Sequence, residues 1–263
     1  MRVEVLYVDV DGTLVGPGGD LLWDSSTRTV TALLRARTAG LDIVPVSGRG
    51  RVQVFELCRL LGFPRGIGEL GCVHVEGHEV RYELGDFPFV GRTPVEAMHD
   101  EGALAFVLEQ GGLEPHEPWN VGREATYLLR GRAEPDAVNA ALAAAGFGWC
   151  RLVDNGVLRG ARPALEATST ARAPEDGAVG AYHLAPAATG KASGVRIDRE
   201  RHSIDVTRTA YIGDSAADLE CAREVAQCWL VANAMVGSDW PHRTTGAFGA
   251  GVAELIDVLL QDA

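Results

Sequence analysis

No stretch of this 263-residue chain approaches the ~20 apolar residues that a bilayer-spanning helix needs, so no membrane partner is expected. A basic stripe is also missing. The 24 Lys and Arg residues face 36 Asp and Glu, for a net charge of −12. A surface that binds nucleic acid by neutralising phosphates needs the opposite balance, which argues against a nucleic-acid partner. Cysteines are few and odd in number: Cys58, Cys72, Cys150, Cys221 and Cys228, with no CxxC pair and no His/Cys cluster at zinc spacing. This argues against a disulfide framework or a structural zinc site and predicts reduced, mostly buried thiols. No internal repeat is evident. The opening Met1-Arg2-Val3-Glu4 enters a strand-like run at once, unlike a secretory leader, and a cytoplasmic location is expected. An acidic protein can still bind a small anion where cations converge.

What the chain does have is a set of short apolar runs, each ending in a polar cluster. They are Val3–Val8 before Asp9, Leu41–Val46 before Ser47, Ala210–Ile212 before Gly213-Asp214, and Trp229–Ala232 before Asn233. Continuous apolar runs without alternation predict strands covered on both faces, as in a parallel sheet. Helical spacing separates them. Val30, Leu33, Leu34 and Arg37 follow the cap candidates Asp24 and Ser25, and Val54, Cys58 and Leu61 share a face. Leu219, Ala222 and Val225 continue the theme, and Val252, Leu255, Ile256, Leu259 and Leu260 form a stripe. The alternation predicts an α/β fold, a doubly wound parallel-sheet core.

The middle of the chain reads differently. Thr93-Pro94-Val95-Glu96 is a capping-box pattern that would open a helix carrying Ala97, Leu104 and Leu108 on one face. Ala125–Arg130 reads as a strand and Glu134–Ala145 as a helix closed by Gly146. Phe147–Asp154 and Val157–Arg159 around Asn155-Gly156 read as a hairpin, and Ala161–Gly180 as a flexible surface loop. The expected organisation is a core of residues 1–84 and 186–263, with an α+β lobe at 85–185 inserted into it.

The chemistry-bearing residues sit at the ends of the apolar runs. Asp9-Val10-Asp11-Gly12-Thr13 follows the first, and the turn at Gly12 lets both carboxylates reach the C-terminal edge of the sheet, where open α/β sheets bind ligands. Two acids so close favour a proton on one of them, offering a nucleophile in Asp9 and an acid/base in Asp11. Ser47-Gly48-Arg49 follows the second run and presents a hydroxyl and backbone N–H groups. Gly213-Asp214-x-x-x-Asp218 follows the third, with carboxylates suited to a hard cation. Lys191, between Gly190 and a helix, would offset this collection of acids around a dianion. Each element has a plain structural explanation as well: an Asp-Gly turn, helix caps, a surface lysine, and for Arg49 a surface ion pair.

Taken in order, Asp9-x-Asp11-Gly12-Thr13, Ser47-Gly48-Arg49, Lys191 and Gly213-Asp214-x-x-x-Asp218 resemble the four motifs of haloacid dehalogenase-like hydrolases. The insertion, Glu69-Leu70-Gly71-Cys72 leading towards it, and Asn233-Ala234 resemble the Cof-type, sucrose-phosphate phosphatase-like and mannosyl-3-phosphoglycerate phosphatase-like branch with a large αβ cap. Leu70 stands where that branch often has Asn, and Ala217 where many relatives have Asn. The resemblance implies a phosphatase that forms an aspartyl-phosphate on Asp9, with Asp11 as acid/base. It implies Mg²⁺ held by Asp9, the backbone carbonyl of Asp11, Asp214 and, directly or through water, Asp218. Thr13, Ser47, Gly48 and Lys191 would bind the phosphoryl group, and Arg49 and Asn233 would lie towards the rest of the substrate. The expected partner is a small phosphorylated metabolite such as a sugar phosphate or a phosphoglycerate-type ester, and the protein would be a monomer or small homo-oligomer. A phosphomutase and a non-catalytic sugar-phosphate-binding protein are the alternatives.

Overall fold

The computed structural model describes residues 2–110, 112–158 and 179–261. Two sheets are formed. The larger contains β1 (Val5–Asp9), β2 (Asp42–Val46), β3 (Arg65–Gly68), β4 (Val73–Glu76) and β5 (Glu79–Tyr82). The smaller follows with β6 (Leu113–Pro115), β7 (Tyr127–Gly131), β8 (Cys150–Leu158) and β9 (Val179–Pro186), after which β10 (Thr209–Gly213) and β11 (Gln227–Leu230) return to the larger sheet. The described helices are α1 (Arg28–Thr38), α2 (Arg51–Leu61), α3 (Pro94–Asp100), α4 (Ala103–Glu109), α5 (Pro135–Ala144), α6 (Lys191–Arg201), α7 (Ala216–Leu219) and α8 (Gly249–Gln261).

The larger sheet runs β11-β10-β1-β2-β3-β4-β5. Its first five strands are parallel, and β4 and β5 extend it as an antiparallel hairpin. The apolar runs are continuous because each face has its own core. Leu6, Val8, Ile43 and Ile212 pack with Leu33, Leu255 and Ile256 from α1 and α8. Val5, Tyr7, Val44, Val46 and Tyr211 pack with Ala192 and Val195 of α6 on the other face. Parallel register sets Asp9 beside Val46 and Val8 beside Ile212, so the residues that follow β1, β2 and β10 emerge together at one edge. The smaller sheet, ordered β6-β7-β9-β8, is antiparallel and packs on α3, α4 and α5 through Met98, Leu104, Val107, Leu129, Leu142, Leu152 and Leu184. Among the described residues, no helix is long and apolar enough to cross a membrane.

Local expectations needed correction in several places. Asn155-Gly156 is not a hairpin turn: β8 runs straight through it. Asp154 pairs with Tyr182 and Val157 with Gly180, so one extra residue bulges there, with Gly156 at φ 89. The helix expected from Thr93 onward breaks at Gly102 (φ 85) into α3 and α4. In α1 the buried face is Thr29, Ala32, Leu33 and Ala36, while Val30 and Leu34 are exposed. In place of a helix over Leu219–Val225, the four-residue α7 ends at Leu219 and a 3-10 turn follows at Glu220–Arg223. Of the loop expected at 161–180, residues 161–178 lie outside the described residues, and Val179 and Gly180 open β9.

Candidate active site

Asp9 ends β1 and Lys191 begins α6, 182 positions later in sequence. Between them, β9 delivers the chain back to the larger sheet. The Lys191 Nζ donates to Asp9 Oδ1 at 2.6 Å and to Asp218 Oδ1 at 2.8 Å, and all three side chains are buried. Lys191 is also the sole lysine in the sequence. Of its 24 basic residues the other 23 are arginines. A compact ammonium fits between two carboxylates in a tight site where a planar guanidinium would need a wider one.

The two carboxylates that share Lys191 differ sharply. Asp218 Oδ1 also accepts from the Tyr211 hydroxyl at 2.5 Å. Its Oδ2 accepts from the backbone N–H of Asp214 (3.1 Å), the backbone N–H of Ser215 (2.9 Å) and the Ser215 hydroxyl (2.5 Å). Asp9 has Lys191 on Oδ1, while Oδ2 is buried with no hydrogen-bond partner among the described residues. The titration directions follow. Burial, reinforced by Asp218 and Asp214, holds the Asp9 carboxyl well above the usual carboxylate range despite Lys191. Burial pushes Asp218 the same way but is outweighed by Lys191, Ser215 and Tyr211, and its carboxyl lies below its ordinary value. Burial opposes the charge on Lys191, yet Asp218 and Asp9 keep its pKa above that of an ordinary lysine.

Carboxylate oxygens of Asp9, Asp214 and Asp218 lie within 4.8 Å of one another. Three acids against one lysine leave excess negative charge, and Asp9 Oδ2 is an orphaned buried oxygen. This donor set fits a hard divalent cation with oxygen ligands. The approach of Asp214 depends on Gly12, whose φ is +90°. A Cβ at that position would come within 2.3 Å of Asp214 Oδ2, so both backbone conformation and space require glycine there.

The remaining residues expected at the site fall around this cluster. Thr13 is buried, and its hydroxyl has no partner among the described residues. Ser47 is buried at the end of β2, and its Oγ accepts from the Arg49 N–H at 3.1 Å. Arg49 grips Asp11 with two hydrogen bonds of 2.9 and 2.7 Å, so Asp11 points out of the buried cluster with its side chain 55% exposed. Asn233 engages backbone with both atoms of its amide. Its Nδ2 donates to Gly12 O at 2.8 Å and its Oδ1 accepts from Phe248 N–H at 2.7 Å, which makes it a brace for the Asp9–Thr13 turn.

A second set joins Glu69, quoted above only as part of the segment leading into the insertion, to residues not singled out in the sequence. Glu69 is fully buried, and its Oε2 accepts from the Ala125 and Thr126 N–H groups at 3.0 and 2.8 Å. Arg123 donates to the Gly48 carbonyl at 2.8 Å and to the Thr126 hydroxyl at 3.0 Å. His183 of β9 meets that same hydroxyl through Nδ1 at 3.1 Å. These contacts tie the smaller sheet and the segment leading into it to the loop after β2. Leu70, where the resemblance led one to expect Asn, has φ 55, a left-handed conformation that Asn tolerates better than a bulky apolar residue.

No family model matches the sequence. A curated relative, a phosphoglycolate phosphatase of Pyrobaculum neutrophilum, is 27% identical over 99% of this chain and 97% of its own length. A second, the phosphoglycolate phosphatase of Metallosphaera sedula, is 27% identical over 98% and 99%. Among solved structures, the sucrose-phosphatase of Synechocystis, in complex with sucrose and phosphate, superposes with a TM-score of 0.67 at 16% identity, covering 98% of each chain. A haloacid dehalogenase-like hydrolase from Bacteroides thetaiotaomicron gives 0.67 at 17% identity, covering 98% of this chain and all of that one. The chain has the fold of these hydrolases.

Proposed function

We propose that the protein is a phosphomonoester hydrolase in which Asp9 becomes transiently phosphorylated. The observation that carries this reading is the asymmetry of Asp9: Oδ1 is fixed by Lys191, and Oδ2 is buried and without a partner among the described residues. A nucleophile held by one oxygen and open at the other is already oriented for in-line attack.

In the proposed cycle, Asp9 Oδ2 forms a bond to phosphorus as the bond to the ester oxygen breaks. Asp11 gives its proton to the departing alkoxide. It then takes a proton from the water that attacks the aspartyl-phosphate, which releases inorganic phosphate and regenerates Asp9. Substrate entry must part Asp11 from Arg49, which frees the carboxyl for proton transfer and the guanidinium for the substrate. Lys191, Ser47 and the backbone N–H groups after β2 and in the Asp9–Thr13 turn neutralise and orient the phosphoryl oxygens. Asp218, saturated with donors, holds Lys191 in place and suits a water-mediated contact to metal better than a direct one.

Mg²⁺ is the cofactor we infer, held by Asp9, Asp214 and the Asp11 carbonyl, and when bound it would neutralise charge on the phosphoryl group and keep Asp9 ionised. The segment 85–185 would act as a cap that closes over the site and selects the substrate, a small phosphorylated metabolite. The curated relatives make 2-phosphoglycolate an obvious ester to test, and the sucrose-phosphatase likeness adds sugar phosphates. The five cysteines are all unpaired and buried, which suits a reducing cytoplasm.

The test is Mg²⁺-dependent phosphate release from a panel of monoesters, with and without chelator, by wild type and Asp9→Asn. We expect the variant to lose at least ~10³-fold in kcat while its circular dichroism is unchanged. Substantial turnover by Asp9→Asn would remove the covalent route.

A further inference from the structure

Lys191 opens α6, and the chain reaches it from the end of β9 through residues 187–190. Where its Nζ stands therefore depends on how that short connection is held. Thr189 is buried and turned back on β9: its N–H and its hydroxyl both donate to the Pro186 carbonyl, at 3.1 and 2.8 Å. The Cys72 thiol donates to the same hydroxyl at 3.2 Å. Gly190 is tied forward, onto the first turn of α6. Its N–H donates to Ser193 Oγ at 3.0 Å, and its carbonyl accepts from the Ser193 hydroxyl at 2.8 Å and the Gly194 N–H at 3.0 Å. Between these two tied ends stands the Thr189 carbonyl. Its one hydrogen bond among the described residues comes from Arg151 Nη2, at 2.7 Å.

Arg151 belongs to the inserted segment. It lies on β8 opposite Ala185 of β9, and its neighbours Cys150 and Leu152 are buried in the core that the smaller sheet shares with α3, α4 and α5. Side chains alternate along a strand, so Arg151 stands on the face turned away from those helices. From there it reaches past the end of β9. Nη2 packs closely on Gly190, where a Cβ would stand 3.3 Å from it, so a side chain at that position would crowd the guanidinium. Its Nε is buried and has no partner among the described residues. A surface arginine would turn that N–H to water, whereas Arg151 leaves it unpaired, at a cost, with Nη2 on a single carbonyl.

Resting on the phosphatase reading, we propose that Arg151 is a positioning residue for Lys191. None of its described hydrogen bonds is with Asp9 or Asp218; it acts on the backbone two residues before the ammonium. Gly190 has no side chain to limit its rotation, so a released Thr189 carbonyl would let the start of α6 shift. A shift of ~1 Å at Nζ is more than its bonds of 2.6 and 2.8 Å to Asp9 and Asp218 tolerate. Arg151 comes from the smaller sheet and Asp9 from the larger one, so the bond makes the place of the cation depend on how the inserted segment sits.

The sole lysine of the chain supplies the readout. Protein grown with lysine isotopically labelled at Nζ gives one side-chain ammonium signal by NMR, that of Lys191. In wild type the signal should persist at neutral pH, because Nζ is buried between two carboxylates. Arg151→Ala should move or broaden it while circular dichroism is unchanged. With Mg²⁺ and p-nitrophenyl phosphate, kcat should fall ~10-fold or more and KM should stay within ~3-fold. Arg151→Gln is the second variant. Its amide ends where the arginine Nε lies, short of Thr189, so the same two changes are expected if the alanine variant does not fold. An unmoved signal in a folded variant overturns the inference, and so does a moved signal with kcat intact. Failure of both variants to fold overturns it as well, since Arg151 would then serve the whole fold. A wild-type signal already lost to exchange does the same, because Lys191 would not be held. A wild type inert on every ester sinks the phosphatase reading, and this inference with it, whatever the signal does. The other failures are distinct, because each leaves wild type active.

Discussion

Two buried polar networks in this protein are built from similar groups and serve different ends. The first joins Asp9, Lys191, Asp218, Tyr211 and Ser215, and it leaves one oxygen of its terminal carboxylate without a partner. The second joins Glu69, Thr126, Arg123 and His183: Arg123 places all three guanidinium nitrogens on oxygen acceptors and Glu69 Oε2 takes two backbone N–H groups, while Glu69 Oε1 is buried without a partner among the described residues. A network meant to react must hold back a group, and the cost of burying that group is met by its neighbours. One meant to hold two parts of a chain together gains from the bonds that cross between them, as those of Arg123 to Gly48 and of Ala125 and Thr126 to Glu69 do. The difference separates the chemistry from the scaffold that presents it.

The largest expected effect of breaking this contrast is at Lys191. Lys191→Met should remove at least ~10³-fold of kcat/KM, because the phosphoryl oxygens and Asp9 Oδ1 lose their shared cation. It should also destabilise the fold by about 3 kcal/mol, since a buried Asp218 would lose its partner. Lys191→Arg sharpens the point: the charge stays, but the planar head does not fit the gap between two carboxylates, and activity should still fall ~10²-fold or more. Steady-state kinetics and thermal unfolding check both. Near-normal activity for the arginine variant would show that charge alone is required.

Glu69→Ala acts on the second network and should have a smaller effect. The Ala125 and Thr126 N–H groups would be left buried without their acceptor, costing about 3 kcal/mol in stability. KM should rise ~10-fold while kcat changes by less than ~3-fold, because the loop after β2 is no longer tied to the smaller sheet. A collapse of kcat without a change in KM would merge the two networks into one functional unit.

The first network was legible in the sequence, and the second was not, for a physical reason. Asp9, Asp214 and Asp218 stand at the ends of apolar runs, and a parallel sheet carries every such end to the same edge whatever the details of register. Lys191 could have been found with more certainty, since a chain that meets its other basic needs with arginine keeps one lysine here. Thr126 and His183 carry no such mark, and Glu69 was marked only as part of a segment, because their meeting depends on how the smaller sheet docks. The Asn155-Gly156 error has a similar origin. The dipeptide encodes a positive φ at Gly156, which suits a two-residue turn or a bulge equally well, and only the pairing of β8 with β9 decides between them. The bracing bonds of Asn233 to Gly12 and Phe248 were equally unreadable, because they depend on which loops the fold brings beside its amide. In α1 the helical period was correct but its phase was not, since Thr29 and Ala32 bury more completely than Val30 and Leu34.

The smallest effect tests whether stability within the inserted segment can be changed without touching the chemistry. Thr93 caps α3: its Oγ1 accepts from the Glu96 N–H at 3.2 Å, and Glu96 Oε2 accepts from the Thr93 N–H at 2.7 Å. With seven residues, α3 has little intrinsic stability and relies on this reciprocal cap. Thr93→Ala should cost about 1 kcal/mol by denaturant unfolding at neutral pH. The Thr93 N–H, then its hydroxyl, hold the Glu96 carboxyl below its ordinary value of 4.5. A depressed carboxylate pKa contributes stability above the unfolded value and loses it as pH falls through the folded one. The penalty of the substitution should therefore shrink as the pH falls below 4.5, because Glu96 is then protonated in wild type as well. At neutral pH, kcat/KM should stay within ~2-fold on every ester, since α3 packs behind the smaller sheet, away from His183. A larger change would mean that the packing of α3 feeds into the site, and the scaffold could no longer be treated apart from the reacting groups.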